Sequence, residues 1–162
     1  MYERYQLDID ELLERGRTEP CFICHIVARH PDYPAHIVYE DATTVAFLDK
    51  YPPEYGWTLV APREHCEQIT GDFALDEHLE LQRIVYRVSE SVRQEVGAER
   101  IYLCSFGRNQ GNAHVHWYVA PVPQDKPFLE QEPGIFNSNI LRIPEEDQAS
   151  LATRLQSRLQ DL

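Results

Sequence analysis

The sequence predicts an α+β fold: a five-stranded antiparallel sheet with one long crossing helix and terminal helices. Five short runs of strand-forming residues are mostly separated by tight turns. One long amphipathic pattern, Asp72 to Gly97, falls between the third run and the fourth. A length of 162 residues with 43% hydrophobic content is enough to bury one core. Tight turns favour antiparallel neighbours, and the helix is the crossing connection. We expect residues 1–123 to form the domain with its N-terminal helix. Residues 124–162 are expected to form an extended tail and a C-terminal helix that packs on the same domain or on a dimer partner.

In chain order, Leu7 to Arg17 carries a short helical pattern with Ile9, Leu12 and Leu13 as its apolar positions. The first two strands are Ile37–Glu40 and Thr43–Asp49, joined by a turn at Asp41-Ala42. A second turn spans Lys50 to Gly56 and contains Pro52-Pro53. The third strand, Trp57–Ala61, stops at Pro62 and delivers Arg63-Glu64-His65. In the long helix, Leu81, Ile84, Val85, Val88, Val92 and Val96 recur at three- and four-residue steps, and Gly97 is its stop. Its opposite face, with Glu80, Arg83, Arg87, Glu90 and Arg93, is solvated. The fourth strand is Ile101–Ser105, and the fifth begins at His114 and ends at Pro121. Pro123, Pro127, Pro133 and Gly134 mark the tail. Pro144 and Glu145-Glu146 suit the first turn of a last helix whose stripe is Leu151, Leu155, Leu159 and Leu162.

Acidic residues outnumber basic ones 27 to 15, and the net charge of −12 disfavours a surface that grips a nucleic-acid backbone. A small nucleotide, needing only local donors, remains compatible with that charge. No apolar run approaches a membrane span, and Met1-Tyr2-Glu3-Arg4-Tyr5 is unlike a signal peptide, so a cytoplasmic location is the default expectation.

Chemistry concentrates in Asn109 to Pro121. In a strand, His114, His116 and Tyr118 share one face, and Val115, Trp117 and Val119 share the other. Burying the apolar face lines up two imidazoles and a phenol at steps of about 7 Å, an array suited to an anion. Gly111 lets backbone N–H groups approach a ligand, while Asn109, Gln110 and Asn112 supply uncharged donors. A half-exposed strand with a polar wet face would read the same way. Cys21-x-x-Cys24 is open to three readings: zinc, a redox pair or two core thiols. The strand meander downstream lacks the βαβ pattern of a redox motif, and zinc needs two more ligands. Cys66 and Cys104 read as inert core residues, and His25, His30, His36 and His78 as surface histidines.

The run His114-Val115-His116-Trp117-Tyr118-Val119-Ala120 resembles the signature of the histidine triad superfamily of nucleotide hydrolases and transferases, His-φ-His-φ-His-φ-φ with φ apolar. The third histidine is replaced by Tyr118. A strand ending at Asp49, a Pro-bearing turn, and Leu59-Val60-Ala61-Pro62-Arg63-Glu64-His65 are also similar to that family, so the resemblance spans Cys21 to Pro123. It implies His116 as the nucleophile that carries a nucleotidyl group. Gln110 would lie near the leaving-group oxygen, with Gly111, Asn112 and Asn109 donating to phosphate oxygens and Arg108 as a phosphate contact. Asp49 would hold the ribose hydroxyls, although a turn residue capping a strand end reads alike. Phe22, Ile26, Phe47 and Leu48 would line the base pocket. In the zinc-bearing branch the ligands are similar to Cys21, Cys24, His65 and His114, which implies a closed structural zinc site here.

The resemblance further implies a small-molecule nucleotide substrate, such as a dinucleoside polyphosphate, and a homodimer formed through the long helix and a sheet edge. Exposed edge strands give that dimer separate support. With a pKa near 10, Tyr118 donates a hydrogen bond but brings no positive charge. Hydrolase and nucleotidyltransferase therefore stay open, as does a nucleotide-binding protein with little turnover. The chain lacks the duplicated halves of the larger transferases, which favours the hydrolase.

Overall fold

The computed structural model describes residues 2–106, 112–124, 126–127, 130–131 and 138–161. Its elements are β1 (Glu3–Gln6), α1 (Ile9–Thr18), α2 (Phe22–Val27), β2 (Ile37–Glu40), β3 (Thr44–Leu48), β4 (Thr58–Pro62), α3 (Leu75–Val96), β5 (Arg100–Cys104), β6 (Trp117–Val122), β7 (Asn139–Arg142) and α4 (Glu145–Asp161). The main sheet has five strands in the order β2-β3-β4-β6-β5, each neighbour antiparallel, with α3 crossing between β4 and β5. The expected fold class is the one observed.

Strand alternation sorts side chains into two cores. Ala46, Leu48, Val60, Val115, Trp117 and Val119 face α3 and α4, where they meet Leu81, Val85, Val88 and Val92. On the other face, Val45, Phe47, Leu59 and Ala120 pack with Ile23 and Ile26 of α2. Gly56 lies under the end of α3 with a φ of 90°, and a Cβ there would come within 2.7 Å of Val96 Cγ1. Gly97, at a φ of 66°, terminates α3 as expected.

α3 begins later than expected, at Leu75. Asp72 instead spends its carboxylate on the N–H groups of Glu67 and Gln68, so the first turn is held by Glu77 accepting from the Ala74 N–H at 2.8 Å. α4 packs on its own chain. Leu151, Leu155 and Leu159 enter the helix-side core, Ser91 Oγ donates to the Leu155 carbonyl, and Gln156 donates to the Ile37 carbonyl. α1 buries none of its residues; Ile9, Leu12 and Leu13 are only half-buried.

Two elements differ from expectation. β1 and β7 form a separate two-stranded ribbon, registered from Glu3↔Arg142 to Gln6↔Asn139. Neither run shows apolar alternation, and their pairing depends on anchors elsewhere. Arg4 donates to the Pro53 carbonyl and reaches Glu54, and the Leu141 N–H donates to the Pro52 carbonyl. The fifth strand of the sheet starts at Trp117, after both histidines, and runs through Pro121 to Val122. β4 pairs with β6 only as far as Val119, so no β4 partner is denied an N–H by Pro121.

Candidate functional site

His114 and His116 lie in the extended segment that feeds β6, and Val115 between them donates its N–H to the Cys66 carbonyl at 2.7 Å. The alternation survives without strand pairing. Val115 enters the helix-side core, while both imidazoles are buried on the opposite side. Tyr118 continues that side, with its ring centroid 4.8 Å from that of His116.

The tautomer of His116 follows from its surroundings. Nδ1 lies 2.8 Å from the His114 carbonyl, and a carbonyl can only accept, so Nδ1 carries the proton and Nε2 keeps its lone pair. Burial holds this imidazole down at about 4, which keeps it neutral. Ser105 Oγ donates to the His116 carbonyl at 2.6 Å, fixing the backbone on which the ring turns. For Tyr118, burial and the nearby Asp49 and Cys104 push the phenol above its ordinary value of 10, so it stays protonated.

His114 is fixed in the complementary way. Nε2 donates to the Pro62 carbonyl at 2.9 Å, which leaves the Nδ1 lone pair directed at two sulfurs. Cys21 Sγ is 3.4 Å and Cys24 Sγ 3.5 Å from that nitrogen, and Cys24 Sγ is 3.4 Å from His65 Nδ1. The four candidate ligand atoms lie within 4.8 Å of one another. Tetrahedral bonds of about 2.3 Å to sulfur and 2.0–2.1 Å to nitrogen would place sulfur and nitrogen roughly 3.6 Å apart. Two thiols this close also resist ionising together, and burial and Cys21 push Cys24 up to about 11 in the absence of a cation. The set therefore could hold a metal ion, and its composition and spacing fit a closed four-ligand centre.

Cys21 and Cys24 belong to α2: Cys21 is its N-cap, its sulfur accepting from the Cys24 N–H. The same short helix carries Phe22 and Ile26. Phe22 stands edge-on to Phe47 and to His116, each at a centroid distance of 6.3 Å. Ile26 and Phe47 belong to the α2-side core, to which Trp57, Tyr33, Ile37 and Tyr118 also contribute. Three of the four apolar residues expected at the pocket thus share one core, and Phe22 among them meets His116.

Leu48 is the exception and a correction. It follows Phe47 in β3 and so points to the other face, into the core under α3 and α4. Asn112 also differs from expectation. It is buried, and its amide donates to Cys21 Sγ at 3.6 Å, which commits it to the metal set. Asp49 follows directly on β3 and accepts the Tyr51 N–H at 2.8 Å, a turn contact, while burial pushes its carboxyl up to about 6. Asn109, Gln110, Gly111 and Arg108 lie outside the described residues.

The four histidines expected at the surface are half-buried. His25 stacks on Tyr33 at 4.5 Å, His30 meets His25 edge-on, His36 pairs with Glu145, and His78 packs on Phe73 and Trp117. Cys66 is buried as expected, and Cys104 is half-buried. Sequence reasoning missed the carbonyls of His114 and Pro62, because backbone acceptors leave no mark in residue type. Ser105 and Trp57 were visible as strand-end residues but carried no distinguishing signal.

Residues 30–125 match the HIT domain family. An uncharacterised HIT-like protein of Saccharolobus solfataricus is 33% identical over 115 residues, 69% of this chain and 81% of that protein. The adenosine 5'-monophosphoramidase of Schizosaccharomyces pombe is 29% identical over 108 residues, 65% of this chain and 77% of that enzyme. A hypothetical histidine triad nucleotide-binding protein from Sulfolobus tokodaii superposes with a TM-score of 0.71 at 28% identity, covering 88% of this chain and 93% of that one. Family match, sequence identity and fold agree with the histidine segment: the chain belongs to the HIT domain family.

Proposed function

We propose that the protein is a nucleotide hydrolase that cleaves a phosphoanhydride or phosphoramidate bond at a nucleoside phosphate. The observation that carries this reading is the hydrogen bond from His116 Nδ1 to the His114 carbonyl, which leaves Nε2 as a free nucleophile. A similar enzyme, the fission-yeast relative, is named for hydrolysing an adenosine phosphoramidate. In the first step, His116 Nε2 donates its lone pair to phosphorus as the bond to the leaving oxygen or nitrogen breaks. The leaving group departs with that electron pair and takes up a proton. In the second step water attacks phosphorus and gives up a proton, which balances the one taken by the leaving group. The P–Nε2 bond breaks with its electron pair returning to Nε2, and a nucleoside monophosphate and neutral His116 result. The His114 carbonyl would stabilise the positive charge that develops on the ring as the P–Nε2 bond forms.

Phe22, Ile26 and Phe47 would hold the base, and Asp49 the ribose. Tyr118 would donate a hydrogen bond to a phosphate oxygen, and Gln110, Gly111 and Asn109 would serve the leaving group and phosphate. Cys21, Cys24, His65 and His114 would hold zinc. Four protein ligands leave no position open for water or substrate, so the ion would serve a structural role. We place the protein in the cytoplasm as a homodimer, whose contact would use the apolar stripe Leu75, Leu79 and Tyr86 on α3, exposed at 72%, 53% and 68%. No helix among the described residues is long and apolar enough to cross a membrane.

A second reading rests on Tyr118. A neutral donor in place of the third histidine suits transfer of the nucleotidyl group to phosphate or a sugar phosphate. One experiment separates these readings. Wild type and His116→Ala are incubated with a dinucleoside tetraphosphate, a nucleotidyl sugar and a nucleoside phosphoramidate, each with and without an acceptor. Nucleoside monophosphate from wild type alone establishes the hydrolase. Product formed only with an acceptor makes it a transferase. No product from any substrate leaves a nucleotide-binding protein and refutes the proposal.

A further inference from the structure

His114 belongs to two sites at once. Its ring nitrogen Nδ1 faces Cys21 and Cys24, and its backbone carbonyl accepts the Nδ1 proton of His116. The ring and the carbonyl are carried by one residue, so a change in the ring's position moves the acceptor that sets the tautomer of His116. α2 makes a second bridge. Cys21 caps it and Cys24 lies within it, while Phe22, one residue after the first cysteine, meets Phe47 and His116, and Ile26, two after the second, packs in the core with Phe47. A third bridge is β4: Pro62 at its end orients His114, and His65 three residues on closes the metal set. The helix has only six residues and cannot hold its own geometry in isolation.

We propose that the metal set and the nucleotide site form one thermodynamically linked unit. Metal held by Cys21, Cys24, His65 and His114 raises affinity for a nucleoside monophosphate, and that nucleotide raises affinity for the metal by the same factor. His114 is the positioning residue, acting on phosphorus only through His116. This inference rests on the reading that a nucleoside monophosphate binds beside Phe22 and His116. Metal loss frees α2 to shift and releases the His114 carbonyl, so binding must first restore the order that the metal supplies.

The test uses the 162-residue chain loaded with zinc and AMP as the probe. Calorimetry first measures AMP binding to the zinc-loaded protein. A chromogenic chelator then competes for zinc with and without saturating AMP. AMP is expected to tighten zinc binding about tenfold, and zinc depletion to weaken AMP binding by the same factor. Imidazole 15N spectra provide a readout that simple loss of packing would not reproduce: His116 is Nδ1-protonated in the zinc form and a tautomer mixture without it. If AMP binds but zinc affinity does not change, the linkage is wrong while the nucleotide reading stands. If AMP does not bind the zinc-loaded protein, the nucleotide reading fails and the linkage fails with it. A chain that takes up no zinc overturns the inference, and so does coupling accompanied by loss of the far-UV circular dichroism signal on chelation, because global unfolding then carries it.

Discussion

Replacing Asp49 with Asn should make the protein more stable at neutral pH and a poorer binder of nucleotide. Asp49 is half-buried directly after β3, and burial pushes its carboxyl from 3.8 up to about 6. The folded state therefore holds the proton more firmly than the unfolded chain. Stability contributed by the protonated form is complete below about pH 4 and is lost as pH rises towards 6. A rise of this size corresponds to about 3 kcal/mol, which residual solvent contact reduces to roughly 1–2 kcal/mol. Asn keeps an oxygen to accept the Tyr51 N–H, now at 2.8 Å, but never ionises. The variant should match wild type near pH 4 and melt about 3–6 °C higher at pH 7. Calorimetric melts of both proteins across that range provide the assay. A melting difference that is absent, reversed or independent of pH would refute the reasoning. Weaker AMP binding by the more stable variant would show that the buried carboxylate is kept for the ligand.

Stripping metal from the zinc-loaded protein should lower its melting temperature by roughly 8–16 °C, taking metal at 1,000 times its dissociation constant as worth about 4 kcal/mol; thermal melts with and without chelator measure this. Leu48→Ala should destabilise the fold by about 2–4 kcal/mol in denaturant titrations while leaving AMP affinity unchanged. Phe47→Ala, on the opposite face of the same strand, should weaken AMP binding, and equal effects on affinity would contradict the assignment of the two faces. Tyr118→Phe removes a donor without changing ring packing, so turnover should fall roughly ten- to a hundredfold in steady-state assays with the melt unchanged.

The sheet was legible because β3, β4 and the histidine segment carry strand-forming residues with clear alternation, and α3 because its valines repeat at helical steps. The same alternation predicted which residues join His116 on its face even where no strand pairs, since extended backbone alternates side chains with or without a ladder. Leu48 shows the limit of resemblance. Neighbours in a motif need not share a face, and strand geometry should have separated Phe47 from Leu48. The β1–β7 ribbon was not legible: Glu3-Arg4-Tyr5-Gln6 has no apolar face, and its partner lies near the other end of the chain. Cys21 and Cys24 were readable as a pair, but their convergence with His65 and His114 joins residues far apart in the chain, which no local spacing announces. The tautomer of His116 depends on a backbone carbonyl, which no residue type announces.

The proposed hydrolysis requires that His116 carry the nucleotidyl group as a covalent intermediate. Rapid acid-free quenching of a reaction with an adenosine phosphoramidate, followed by intact-mass and peptide-mass analysis, tests it most directly. The account predicts a mass gain of one adenylyl group on the peptide containing His116, rising within one turnover, decaying as AMP appears, and absent from His116→Ala. Turnover that proceeds with no adduct on that peptide, or that persists in His116→Ala, would contradict it.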